Sequence, residues 1–73
     1  MADHSPKLLD VVALLRDLPE FNLARGQVGT IVDETDEASV LVEFADADGR
    51  EYAMPTVRRA DLLVLAYEPE GAK

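Results

Sequence analysis

Short apolar runs recur along this chain about every ten residues, and turn-forming residues bound each run. Within one of them, polar and apolar residues alternate so that Val40, Val42 and Phe44 fall on a single face, which we expect to line a core. After the first run, the strand-like segments are residues 26–32, 39–44, 50–57 and 62–66. Runs of this length and spacing are typical of a small fold built from antiparallel strands.

The first apolar run, at residues 8–15, fits two different periods. Its apolar positions also form a helical stripe, with Ser5 as an N-cap and a proline in the first turn. The pair Val11 and Val12, and the short distance to Pro19, favour a strand. Periodicity alone leaves both alternatives open, while the local signals lean towards the strand.

Turn residues define the rest of the architecture. Residues 46–49, Asp-Ala-Asp-Gly, have the composition of a tight hairpin turn. Pro55 cannot donate to a ladder, so it predicts a sheet edge, a bulge or a strand end. Residues 58–61 are expected to form one helical turn. Together these features predict an all-β fold, a small five-stranded antiparallel barrel, because closure removes the exposed edges of short strands.

The length of 73 residues allows a single domain. We assign it to residues 8–67, with residues 1–7 and 68–73 as disordered polar tails. Because the chain has no cysteine and His4 is its one histidine, disulfides and Cys- or His-rich metal sites are excluded. The hydroxyl side chains lack a nearby activating base. We therefore expect no enzyme activity, no cofactor and no bound metal.

Most of the net charge of −8 is concentrated in one segment. Residues 33–51 hold eight acidic residues and one base, Arg50, for a local charge of −7. Such a field repels phosphate backbones, so nucleic acid is an unlikely partner and a basic protein is the expected one. No apolar stretch is long enough to span a membrane, which favours the cytoplasm. An exposed edge beside Pro55 would also allow self-association.

Several side chains are candidates for contact with a partner. Clustered carboxylates suit a divalent cation, but a solvated loop at residues 33–37 and a hairpin turn at residues 46–49 explain them better. Phe21 and Leu23, in the segment before the second strand, either plug one end of the barrel or contact a partner. The plug is the favoured alternative. The candidate partner-binding residues are Asp33, Glu34, Asp36, Glu37, Phe21 and Leu23.

Arginines offer a competing hypothesis. They would form a phosphate-binding patch, with Tyr52 or Tyr67 stacking on a base, or would pair with the abundant carboxylates. We expect ion pairs, because the arginines are spread over five elements, at positions 16, 25, 50, 58 and 59.

The segments Asp-Val-Val-Ala-Leu at residues 10–14, Gly-Gln-Val-Gly-Thr-Ile-Val at residues 26–32 and Val-Glu-Phe at residues 42–44 resemble the bacterial domain-of-unknown-function family DUF4926. The resemblance covers nearly the whole folded unit and implies an SH3-like small barrel, with residues 10–15 as a strand. It carries over no activity and no catalytic residue. It implies a non-enzymatic module for binding another protein, such as an accessory or antitoxin-like subunit.

Residues 26–32 are also similar to the turn and strand of KOW modules. This second, weaker resemblance implies the alternative function, a nucleic-acid or ribosome-associated binding module.

Overall fold

The computed structural model describes residues 5–66, which form one antiparallel sheet of six short strands with two 3-10 turns. The strands are β1 (Val11–Leu14), β2 (Val28–Glu34), β3 (Ser39–Ala45), β4 (Glu51–Ala53), β5 (Thr56–Arg58) and β6 (Leu62–Ala66). The first 3-10 turn (Pro19–Phe21) lies between β1 and β2, and the second (Arg59–Asp61) joins β5 to β6. The predicted all-β antiparallel class is confirmed.

The hydrogen-bonded order of the sheet is β4-β3-β2-β1-β6, and β5 pairs with the same edge of β3 as β4 does. This path is open, because its end strands β4 and β6 do not pair with each other. Full closure, which we expected from the need to protect edges, is therefore not observed. The sheet keeps two outer edges.

The strand count differs from the prediction at Pro55. The predicted strand at residues 50–57 is divided into β4 and β5, which lie one after the other along β3. Pro55 has no N–H to donate, and its carbonyl oxygen accepts a hydrogen bond from the Val42 N–H at 3.0 Å across the gap. The proline thus interrupts the ladder without detaching the chain from β3.

The core lies on one face of this sheet. The predicted inward residues Val40, Val42 and Phe44 are fully buried, which confirms the period-2 pattern of β3. Other strands contribute alternate residues, and the long connection contributes two leucines. Within residues 5–66, the buried residues that contact one another in the core are Val12, Leu14, Leu18, Leu23, Ile31, Val40, Val42, Phe44, Val57 and Leu62.

Gly29 permits the close approach of β2 to its neighbour β3. A Cβ at this position would lie 2.7 Å from the Glu43 carbonyl oxygen and 2.8 Å from a Val42 methyl group, so any side chain would clash. The register of β2 against β3 shifts further along the strand, between Ile31 and Asp33. The glycine therefore serves close packing, and the bulge that bends β2 is at Val32.

The first apolar run is a strand, as predicted, but a shorter one than residues 8–15. Leu9 has a φ of 72° and the preceding chain turns, so regular pairing begins at Val11. Before β1, Pro6 is buried. Residues 1–4 of the predicted N-terminal tail, and the predicted C-terminal tail at residues 68–73, lie outside the described residues.

Candidate functional site: the acidic loop and the second 3-10 turn

The acidic loop, residues 33–37, begins with the last two residues of β2 and leads towards β3. Its own carboxylates bond to its backbone. Asp36 Oδ1 accepts hydrogen bonds from the N–H groups of Ala38 and Ser39, at 2.8 and 2.9 Å. Asp33 Oδ1 accepts from the Glu34 N–H at 2.8 Å. These side chains are exposed, so they shape the loop and still present charge to solvent.

Arg59, in the second 3-10 turn, ties the acidic loop to the rest of the molecule. Its Nε donates to the carbonyl oxygen of Glu37 at 2.9 Å, and one terminal nitrogen donates to the carbonyl of Asp36 at 3.3 Å and lies 3.5 Å from the Glu34 carboxylate. Its other terminal nitrogen donates to the Pro6 carbonyl. One planar guanidinium thus fixes the loop and the N-terminal segment together.

The same 3-10 turn also contacts the long loop, residues 15–27. The Leu15 N–H donates to the Asp61 carbonyl oxygen at 2.8 Å, and the Asp61 carboxylate lies 3.6 Å from Arg16. Three residues, Arg59 to Asp61, therefore connect the acidic loop on one side to the beginning of the long loop on the other.

Phe21 and Leu23, which we singled out together, have different environments. Leu18 and Leu23 exchange backbone hydrogen bonds around the first 3-10 turn, and Leu23 is 3% exposed, so it closes one end of the core. Phe21, at the tip of that turn, is 43% exposed. The plug reading fits Leu23, and the surface-contact reading fits Phe21.

The second acidic group, around residues 46–49, lies at the opposite end of β3. Asp46 Oδ1 accepts from the N–H groups of Asp48 and Arg50, and Gly49 has a φ of 81°, as a tight turn requires. The hairpin turn is thus confirmed. The seven residues of β3 place the two acidic groups about 20 Å apart.

The arginines do not form one patch. Arg16 and Arg59 pair with Asp61 and Glu34, in agreement with the ion-pair expectation. The remaining three, in the long loop, before β4 and on β5, are exposed on separate elements. Tyr52 accepts a hydrogen bond from the Gln27 side chain at 2.8 Å, which orients its ring. Tyr67 and His4 lie outside the described residues.

Two features were not foreseen from the sequence. Asp10 is 1% exposed, and its carboxylate accepts the Lys7 N–H at 3.0 Å, with the Lys7 ammonium at 3.9 Å. Arg59 organises the acidic loop from 22 or more residues away. Asp10 is the one polar residue inside the first apolar run, which was a signal of a structural role. No local signal distinguishes Arg59 from Arg58.

Two further features are absent from the part of the chain that the structure describes, a metal-binding cluster and a membrane-spanning helix. Within residues 5–66, no three His, Asp or Glu side chains converge in a way that would hold a metal ion. In the same range, no helix has the length and apolar character needed to cross a membrane.

Comparison with known proteins identifies a family. No curated protein and no solved structure matches the chain. The family model described as domain of unknown function (DUF4926) matches residues 8–64, from the turn before β1 to the middle of β6. Because this match includes all but the last part of the sheet, the chain belongs to the DUF4926 family.

Proposed function

We propose that this protein is a non-enzymatic module that binds another protein, as an accessory or antitoxin-like subunit. Its contact surface consists of the acidic loop, the second 3-10 turn and the long loop with Phe21. The partner offers a basic surface with an apolar position for Phe21. The cytoplasm is the compartment that we propose for this complex.

The observation that carries this proposal is the position of the second 3-10 turn between the two candidate segments. Arg59 bonds to the acidic loop and Asp61 bonds to the long loop, so both segments are attached to the same three residues. Surfaces that bind without large rearrangement hold their contact groups in place before the partner arrives. An anchored loop meets that requirement better than a free charged tail.

The charge of the acidic loop supports a basic partner. Its four carboxylates are offset by Arg59 alone, which leaves a local charge of −3. At physiological ionic strength such charges act over about 8 Å. They should therefore raise the association rate with a basic protein more than they lower its dissociation rate.

The test begins with affinity purification of the partner from the native host. Association is then measured by stopped flow at several salt concentrations for two variants, each lacking four acids. The loop variant carries Asp33→Asn, Glu34→Gln, Asp36→Asn and Glu37→Gln. The matched control carries Glu43→Gln, Asp46→Asn, Asp48→Asn and Glu51→Gln at the other end of β3.

We expect the loop variant to associate more slowly and with a flatter salt dependence, while the control stays closer to the natural protein. Amides retain the oxygens that cap the turns, so both variants should fold. If the two variants lose association rate equally, only the total charge matters and the proposed contact surface is wrong.

A further inference from the structure

The outer edge of β6 differs from every other strand edge in the described part of the chain. β6 pairs with β1 on one side, and no strand within residues 5–66 pairs with its other side. Its sequence, Leu-Leu-Val-Leu-Ala, contains neither a charge nor a proline, and the irregularity in its pairing with β1 is a register shift between Val64 and Ala66. Natural proteins usually protect such an edge with charges, prolines, bulges or a covering element, because it is a template for another strand.

The opposite edge of the sheet carries these protections. There β4 and β5 are only three residues each, Pro55 interrupts them, and Glu51 and Arg58 supply charges. The edge beside Pro55, which the sequence suggested for self-association, is therefore poorly suited to pairing. The β6 edge is the better candidate.

The side chains of β6 add an apolar strip to this edge. Leu63 and Leu65 point away from the core and are 51% and 50% exposed. Across the sheet, the buried Ala13 is paired with Leu63 on one side and with the half-exposed Val28 on the other, so exposed apolar side chains flank a covered alanine. When one face of an antiparallel sheet packs on the core, the side chains on the other face are normally polar. Leu63, Leu65 and Val28 are therefore apolar at positions where polar side chains are expected.

The backbone at the edge is available for a ladder. The Leu15 N–H donates to the Asp61 carbonyl oxygen, so Leu15 and Asp61 form a hydrogen-bonded pair. Hydrogen-bonded and non-hydrogen-bonded pairs alternate along an antiparallel ladder, so the backbone N–H and C=O of Leu63 also point towards β1. The N–H and C=O of Val64, one residue further, then point to the outer edge.

We propose that two copies of this chain pair through β6, antiparallel and about a two-fold axis at Val64. In that register Leu63 of one copy lies opposite Leu65 of the second copy, and four leucines form one apolar cluster on the outer face. A two-fold axis makes the same edge complementary to itself, as in most homodimers.

The charge distribution selects a second copy as the occupant. The acidic residues 33–51 belong to β2, β3, β4 and their connections, whereas β6 carries no charge and the neighbouring Asp61 is paired with Arg16. Two copies joined at β6 thus keep their acidic segments away from the seam. The opposite arrangement, through β4 and β5, would bring like charges together.

The dimer should be weak. A five-residue edge and a few leucines fall short of the about 800 Å² per partner that stable complexes bury. Its salt response should also be distinctive, because salt screens the repulsion between two copies of charge −8 and leaves the apolar contact intact. Binding of a basic partner by the acidic loop responds in the opposite direction.

The test is sedimentation equilibrium of the full chain from about 10 µM to 1 mM, a range suited to a Kd on the order of 0.1 mM. We expect a monomer–dimer equilibrium that strengthens with salt. Leu63→Lys and Leu65→Lys should each raise the Kd by about tenfold or more. Met54→Lys, which adds the same charge at an exposed site between β4 and β5, should change the Kd little.

A second measurement tests the register and does not depend on those variants folding well. The natural chain lacks cysteine, so Leu63→Cys and Leu65→Cys proteins can be mixed in equal amounts and oxidised. Opposed residues of a non-hydrogen-bonded antiparallel pair have Cα atoms about 4.5 Å apart, within disulfide reach. The mixed 63–65 disulfide should predominate.

Two results would overturn the inference: a monomer throughout the concentration range at high salt, or a mixed disulfide no more abundant than random pairing gives. Neither result bears on the acidic loop, so the proposed function would survive either one. Loss of dimerisation in Met54→Lys equal to that in Leu65→Lys would assign the contact to another surface.

Discussion

Two acidic segments of this molecule carry the same charge and are built differently. The acidic loop has four carboxylates and the guanidinium of Arg59, and the acidic hairpin, residues 43–51, has four carboxylates and Arg50. In the hairpin, the Asp46 carboxylate bonds only within its own turn, next to the β3–β4 ladder. The loop is held by Asp36 and, in addition, by Arg59 from a distant part of the chain.

Acidic composition by itself therefore does not identify a contact surface. Both segments owe their acidity partly to aspartates that cap turns, which is a local structural use. Within residues 5–66, the side-chain hydrogen bonds of the acidic hairpin stay inside its turn, whereas the acidic loop is bonded to the N-terminal segment and, through the second 3-10 turn, is connected to the long loop. We therefore place the proposed binding surface at the acidic loop.

The largest effect is expected from Val42→Asp, which removes the support that both segments share. Val42 is fully buried in the middle of β3, and an unpaired carboxylate there should cost about 4 kcal/mol or more. Since the total stability of such a domain is on the order of 5 kcal/mol, the protein should be largely unfolded. Circular dichroism and urea titration check this, and a folded variant would contradict the core assignment.

The next effect separates the two arginines. Arg59→Met removes donors to three backbone carbonyls and should lower the free energy of unfolding by about 2 kcal/mol. Arg50→Met, in the exposed hairpin, should change it by no more than about 0.5 kcal/mol. Urea denaturation of both variants gives the comparison. Equal losses would mean that Arg59 does not clamp the loop.

The smallest effect concerns the aspartate side chains that cap backbone N–H groups in the two segments, Asp36 and Asp46. Asp36→Ala and Asp46→Ala each remove an acceptor of two backbone N–H groups, and each should cost about 1 kcal/mol. Asp36→Asn and Asp46→Asn retain the oxygen and should cost only a few tenths of this. Thermal unfolding distinguishes the pairs, and an Asn variant as unstable as its Ala counterpart would show that charge, not capping, stabilises the turn.

The sequence was informative wherever the structure depends on neighbours along the chain. Alternation located the inward face of β3, and the composition of residues 46–49 located the hairpin turn. Pro55 was correctly identified as a disturbance of the ladder, although its result, two strands in place of one, depends on how β3 bonds across the gap. Closure of the barrel depends on the path of the whole sheet, and no local signal reports it.

The candidate site was less predictable, for the same reason. The acidic residues and the pair Phe21 and Leu23 were found by composition, but their separation into exposed and buried members depends on the fold of the long loop. Arg59 acts on residues 22 or more positions away, so its role exists only in the folded chain. Nothing in the sequence distinguishes it from the adjacent Arg58.

The most direct test of this account is a map of the contact surface on the protein itself. The ¹⁵N-labelled protein is titrated with the purified partner, and amide chemical shifts are followed by NMR. We predict perturbed amides in the acidic loop, in the second 3-10 turn and near Phe21, with the acidic hairpin unchanged. Shifts of equal size in both acidic segments, or shifts confined to the hairpin, would contradict the claim that the hydrogen bonds of Arg59 and Asp61 define the binding surface.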